Sequence, residues 1–198
     1  MFIIDVSGSM DRTDDKGLPD IADNVLWLDA NDTNTLIDGN GDPLSSPDNY
    51  SGPITQWRDK SGQNNHLTGT SATLGTINER ITVRFTDDIM QGPDVFGGTM
   101  DEATIFAVLR ENSSSDNVFL SFNGSNAGSN SRVSFHTPWS KNRFWYWDAG
   151  NTGNQRSIIK NSAIDVGAIT QLTAYKTCLL YTSPSPRDLS TSRMPSSA

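Results

Sequence analysis

The sequence predicts an all-β fold in which antiparallel strands form two packed sheets. Short β-prone runs recur at spacings of roughly ten to fifteen residues, with Gly, Asn and Ser between them, which is typical of a sandwich or a barrel. No segment keeps a helical period over a window of about eleven residues. Five tryptophans and eight phenylalanines supply bulk for a core between the sheets.

The candidate strands follow one another between polar loops. Met1–Met10 is a short apolar strand that runs into a Ser/Gly turn, and the acidic stretch Asp11–Asp23 is interpreted as a linker. Ala103–Leu109 is apolar on both alternations, which predicts a central strand covered on both faces. The further candidate strands are Val25–Leu28, Ile54–Trp57, Ile81–Phe85, Val118–Phe122, Arg132–His136, Arg143–Trp147, Arg156–Lys160 and Ile169–Tyr175.

The core and one polar loop can be predicted in more detail. In Asp59-Lys60-Ser61-Gly62 the aspartate can close the loop by an Asx-type hydrogen bond, and Gly62 is free to take a positive φ. Large apolar residues in strand segments are predicted to be buried, and these are Trp27, Trp57, Phe85, Ile105 and Phe119.

Composition excludes several classes of function. The formal net charge of -8 argues against binding nucleic acid or an anionic membrane through a basic patch. No apolar run approaches the ~20 residues that a membrane span needs, so membrane insertion is not expected. Cys178 is the single cysteine, which excludes a disulfide scaffold and a cysteine-zinc site.

Five blocks of sequence, in this order, resemble the laminin-G-like bacterial members of the concanavalin A-like lectin/glucanase superfamily. They are VLWLDANDTNTL (Val25–Leu36), QWRDKSGQNNHL (Gln56–Leu67), VRFTDDIM (Val83–Met90), ATIFAVLR (Ala103–Arg110) and RVSFHTPWSKNRFWYWDAG (Arg132–Gly150). The resemblance implies an antiparallel jelly roll of two curved sheets over residues 24–177. It also implies an extracellular or cell-surface location, and that the last strands of the domain are missing at the C-terminus.

The two ends of the chain are expected to differ from this domain. Residues 1–23 are interpreted as an N-terminal stump and linker. Cys178–Ala198 resembles the translation of a sequencing adapter, so we expect residues 178–198 to be an artefact that forms no packed structure.

The resemblance implies a non-catalytic binding or adhesion module of a larger extracellular protein, with polysaccharides or glycoprotein glycans as partners. The alternatives are a structural spacer of a surface protein and a glycoside hydrolase or lyase relative. Glucanases of this fold take their carboxylates from one strand in a Glu-x-Asp-x-Glu pattern, whereas Glu79, Glu102 and Glu111 stand in no such pattern. We therefore expect no enzymatic activity and no catalytic residues.

An aromatic cluster is the candidate ligand-binding site. Trp139, Trp145 and Trp147 could stack on the apolar faces of sugar rings. Trp145 and Trp147 share one face of a strand, while Phe144 and Tyr146 share the other, so one of these pairs is expected in the core.

A turn between two strands is a candidate calcium site. Asp38, Asn40 and Asp42 have the spacing of the first ligands in a calcium loop. Asn49 stands where the bidentate glutamate of such a loop is required, so a plain solvated turn is the alternative.

A second candidate metal site lies near the N-terminus. Asp5, Ser7 and Ser9 form the DxSxS pattern of the metal-dependent adhesion site in von Willebrand factor A domains, where a carboxylate and hydroxyls hold Mg²⁺. The preceding Phe2-Ile3-Ile4 fits the strand that such a loop follows, but an acidic linker follows instead of a long helix. A remnant of that domain and a chance match both stay open.

Overall fold

The computed structural model describes residues 2–5, 24–95, 103–122, 133–139, 144–149, 156–160 and 166–176. These residues form an all-β fold, as predicted, with several antiparallel sheets. Two short 3-10 helices, Thr33–Thr35 and Pro47–Asn49, interrupt the loops. Within the described ranges, no helix has the length and apolar character needed to cross a membrane.

Ten of the described strands correspond to candidate strands, whereas three had no predicted counterpart: Leu36–Asp38, Leu67–Ile77 and Met90–Gln91. In chain order they are β1 (Phe2–Asp5), β2 (Leu26–Asp29), β3 (Leu36–Asp38), β4 (Ile54–Trp57), β5 (Leu67–Ile77), β6 (Arg80–Arg84), β7 (Met90–Gln91), β8 (Ala103–Arg110), β9 (Val118–Phe122), β10 (Val133–Trp139), β11 (Phe144–Ala149), β12 (Arg156–Lys160) and β13 (Ile169–Lys176).

The strands are arranged in three sheets. The first has the order β13-β8-β1-β2, the second β3-β4-β5-β6 with β7 also paired to β5, and the third β12-β11-β10-β9. Among the described strands, β1 runs parallel to both β2 and β8, and the other pairings are antiparallel. The N-terminal segment that the sequence set apart from the domain thus contributes a central strand to the first sheet.

The three sheets share one hydrophobic core. Trp57 from the second sheet, Phe135 from the third and Ile105 from the first are all buried in the same cluster. One face of β8 carries Ile105, Ala107 and Leu109, and the other carries Val108. All four side chains are buried, which confirms a central strand covered on both faces.

Two of the five predicted core residues are placed differently by the structure. Trp57 and Ile105 are buried as predicted, and Phe119 is partly buried against the core. The prediction for Phe85 is wrong, because its side chain is 44 % exposed just beyond the end of β6. Trp27 is only partly buried, and Nζ of Lys60 lies 4.7 Å from the centroid of its ring.

Candidate functional site

The carboxylate of Asp59 connects two distant segments of the chain. Its Oδ1 accepts the backbone N–H of Trp27 at 2.8 Å and that of Ser61 at 2.9 Å. Its Oδ2 accepts the Ser61 hydroxyl at 2.6 Å and the backbone N–H of Asn65 at 3.0 Å. The predicted Asx turn is therefore confirmed, and Gly62 takes the expected positive φ of 87°.

Further contacts around Asp59 strengthen this connection. The Asp59 N–H donates to Nδ1 of His66 at 3.0 Å, and the side-chain amide of Asn65 donates to the Val25 carbonyl at 2.7 Å. Asp59 itself is only 8 % exposed. Two of the blocks that carry the sequence resemblance, Val25–Leu36 and Gln56–Leu67, thus meet in one buried polar network.

Lys60 is held between two carboxylates and an indole ring. Its Nζ lies 3.0 Å from Oδ2 of Asp29, 2.8 Å from Oδ2 of Asp32 and 4.7 Å from the centroid of the Trp27 ring. The Asp29 side chain is 3 % exposed, and that of Lys60 is 21 % exposed. Cation–π and ionic contacts therefore fix the ammonium group in one position. Sequence reasoning missed this cluster, since its members lie about thirty residues apart.

The candidate calcium turn is closed by its own hydrogen bonds. Oδ1 of Asp38 accepts the N–H groups of Asn40 at 2.8 Å and Asp42 at 3.0 Å, and Oδ2 accepts the Asn40 amide at 3.3 Å. The N–H of Asp42 is the main reason that the pKa of Asp38 is lowered. The Asp38 oxygens thus face N–H donors, which favours a plain turn over a calcium loop.

The second candidate metal site is only partly described. Asp5 is the last residue of β1 and pairs with Asp29 of β2 and Val108 of β8. Ser7 and Ser9 lie outside the described residues. Among the residues that the structure does describe, no group of three His, Cys, Asp or Glu side chains is placed to hold a metal ion.

In the aromatic cluster, the structure describes one side chain from each face of β11, Trp145 and Tyr146, and both are buried. Trp145 is 3 % exposed and belongs to the core cluster, because β11 turns it towards residues of the other sheets. Its indole is therefore not available to stack on a sugar ring. The side chains of Trp139 and Trp147 lie outside the described part of the structure, so their role stays a prediction.

An exposed loop between β6 and β7 presents two large apolar side chains. Phe85 is 44 % exposed and Ile89 is 68 % exposed. Asp88 fixes this loop by accepting the Ser71 hydroxyl and, at 3.1 Å, the backbone N–H of Thr86. Asp87 adopts a left-handed φ of 57°, a strained conformation for a residue other than glycine.

The loop and the Asp38–Asp42 turn follow different strands of the second sheet, β6 and β3, and β4 and β5 lie between them. Asp38 pairs with Ile54, and Ile54 pairs with Ala72 in β5. Thr73, the next residue of β5, pairs with Arg84 immediately before the loop. The exposed aromatic ring and the exposed aliphatic side chain therefore belong to the loop after β6, and the turn after β3 is separate from them.

Glu111 is a half-buried carboxylate at the end of β8. Its Oε1 accepts the N–H of Ser113 at 3.0 Å and the amide of Asn117 at 3.2 Å, while Oε2 accepts the Thr137 hydroxyl at 3.4 Å. Burial raises the pKa of Glu111 despite these hydrogen bonds. These hydrogen bonds connect the loop after β8 to Thr137 of β10, so Glu111 is assigned a structural role.

Comparison with protein families, curated proteins and solved structures gives no match for this chain.

Proposed function

We propose that this chain is a non-catalytic, glycan-binding module of the concanavalin A-like, laminin-G-like class, within a larger extracellular or cell-surface protein. The observation that carries the proposal is the exposed ring of Phe85 on a loop that Asp88 fixes in place. The sequence resemblance supplies the class, and the antiparallel all-β fold is compatible with it.

The chemistry of the loop fits a sugar. Carbon–hydrogen groups on one face of a pyranose pack against an aromatic ring, while its hydroxyl groups donate to carboxylates. Phe85 supplies the ring, and the exposed Asp87 supplies an acceptor two residues away.

The proposal is for binding without turnover. A retaining glycosidase needs two carboxyl groups roughly 5–5.5 Å apart with room for a sugar between them. Glu111 already accepts hydrogen bonds from Ser113, Asn117 and Thr137, and Glu79 lies in the hairpin turn between β5 and β6. Neither glutamate is therefore assigned a catalytic role.

The test is binding to an array of polysaccharides and glycoprotein glycans, followed by calorimetry with the best ligand. Phe85→Ala should weaken binding about tenfold, which corresponds to about 1.4 kcal/mol, whereas Phe85→Trp should retain it. Val118→Ala is the matched control, because Val118 is 46 % exposed on an edge strand of the third sheet. If no glycan bound, the alternative function of a structural spacer would be favoured. If Phe85→Ala and Val118→Ala weakened binding equally, the glycan site would not be on the loop between β6 and β7.

A further inference from the structure

The surroundings of Lys60 match the requirements of an amide-forming reaction. Its Nζ donates a hydrogen bond to Oδ2 of Asp29 at 3.0 Å, so the amine is in contact with the carboxyl group whose Cγ it would attack. The Asp29 side chain is 3 % exposed, so little water competes at this carboxyl group. Lys60 and Asp29 come from separate segments, yet the Asp59 network holds those segments together.

The other oxygen of Asp29 lies in a pocket of backbone donors. Oδ1 accepts the N–H of Asn31 at 3.0 Å and that of Asp32 at 3.4 Å. Two such donors stabilise negative charge on an oxygen when a nucleophile adds to its carbonyl carbon. The Asp29 carboxyl group is thus polarised on one side and contacted by an amine on the other.

Asp32 supplies the remaining requirement, which is a proton acceptor for the amine. Its Oδ2 lies 2.8 Å from Lys60 Nζ, and its side chain is 25 % exposed. A carboxylate at hydrogen-bonding distance can take a proton from the ammonium group and later return it to a leaving oxygen.

We propose that Lys60 and Asp29 form an intramolecular amide bond without any enzyme or cofactor. Asp32 removes one proton from the ammonium group, and the neutral Nζ adds to Cγ of Asp29 while Oδ1 takes the negative charge. Oδ2 then leaves as water with two protons, one returned by Asp32 and one from the nitrogen. The three ammonium protons are accounted for by one on the amide and two on water, and the opposite charges of the two side chains cancel.

The bond would join β2 covalently to the loop after β4. It would make permanent the connection that Asp59 maintains by hydrogen bonds, which suits a module of an extracellular surface. This inference rests on the contacts of Lys60 and Asp29 and does not depend on glycan binding.

The experiment is intact-mass spectrometry of the purified, denatured full chain, followed by tryptic mapping. The expected mass is lower than that of the sequence by one water molecule. Trypsin should yield Gly17–Arg58 linked to Asp59–Arg80, with no cleavage after the acylated Lys60. A full mass with free Asp59–Lys60 would overturn the proposal. A loss of water without the linked peptide, as from a cyclic imide at Asp38–Gly39, would also overturn it.

Three variants distinguish amide formation from a simple ion pair between Lys60 and Asp29. Lys60→Arg keeps the positive charge and should show the full mass. Asp32→Asn should form the linked peptide to a much lower extent, and an unchanged extent would contradict the proton-transfer role of Asp32. Asp48→Ala removes an exposed carboxylate in another loop and should give the wild-type extent.

Discussion

Replacement of Asp59 by alanine should be among the most destabilising single substitutions in the chain. The buried carboxylate accepts four hydrogen bonds, from Trp27, Ser61 twice and Asn65. A hydrogen bond to a charged group contributes about 1.5–3 kcal/mol, and a buried donor left without an acceptor costs about 1–3 kcal/mol. These contributions are not additive, so we expect a total loss of about 3–5 kcal/mol.

The loss is large compared with the stability of a domain, which is about 5–15 kcal/mol. Urea unfolding followed by tryptophan fluorescence measures it, because the partly buried Trp27 borders the network. With a denaturant slope near 2 kcal/mol/M, the unfolding midpoint of Asp59→Ala should fall by about 2 M. Asp59→Asn keeps the volume and one acceptor oxygen, so its midpoint should lie between those of Asp59→Ala and the wild type.

Asp42→Ala is the control for this experiment, because Asp42 is an exposed aspartate in a turn. Its unfolding free energy should stay within about 0.5 kcal/mol of the wild type. If Asp59→Ala behaved like Asp42→Ala, the Asp59 network would not hold the two segments together, and the reasoning from its hydrogen bonds would be refuted.

Three further predictions concern other sites. Asn78 and Glu79 both have positive φ in the hairpin between β5 and β6, a conformation that glycine adopts without steric cost. Glu79→Gly should therefore raise the unfolding free energy by about 1 kcal/mol. An unchanged urea midpoint would contradict this prediction. The lowered pKa of Asp38 means that its contribution to stability is full above the unfolded pKa of about 3.9 and is lost as the pH falls through the folded value. Asp38→Asn should abolish this loss of stability at low pH, as measured by unfolding at a series of pH values. The pKa of Glu111 is raised, so its contribution to stability is full below the unfolded pKa and is lost as the pH rises through the folded pKa. The difference in unfolding free energy between Glu111→Gln and the wild type should therefore increase over that pH interval. A difference that does not change with pH would contradict this prediction.

The strand pattern was predictable because it depends on local composition. Alternating apolar residues and polar turns located β4, β8, β9 and β12 within a residue or two of their observed bounds. β5 was missed, because Leu67–Ile77 is rich in Thr, Gly and Ser and has few apolar residues. Its backbone is paired by β4 on one side and by β6 and β7 on the other, so distant neighbours decide its conformation.

The placement of individual aromatic residues was less predictable. Phe85 and Trp145 both follow apolar patterns, yet Phe85 lies at the point where β6 ends and the chain leaves the sheet. Trp145 lies inside β11, where its face is set by pairing with β10 and β12. The parallel pairing of β1 was equally hidden, because sequence periodicity carries no information about strand direction.

The candidate site shows the same division between local and distant causes. The Asx turn at Asp59 was predictable because it closes between residues two apart. The contacts of Lys60 with Asp29 and Asp32 depend on the fold of the whole first block against the second. Such contacts between segments cannot be read from spacing along the chain.

Nuclear magnetic resonance titration with the best glycan ligand tests the proposed function most directly. Amide shifts should concentrate at Phe85–Ile89, with saturation at the affinity found by calorimetry. The amides of β11 around the buried Trp145 should remain unchanged. Shifts confined to β11, or no shifts with any glycan, would contradict a glycan site on the loop between β6 and β7.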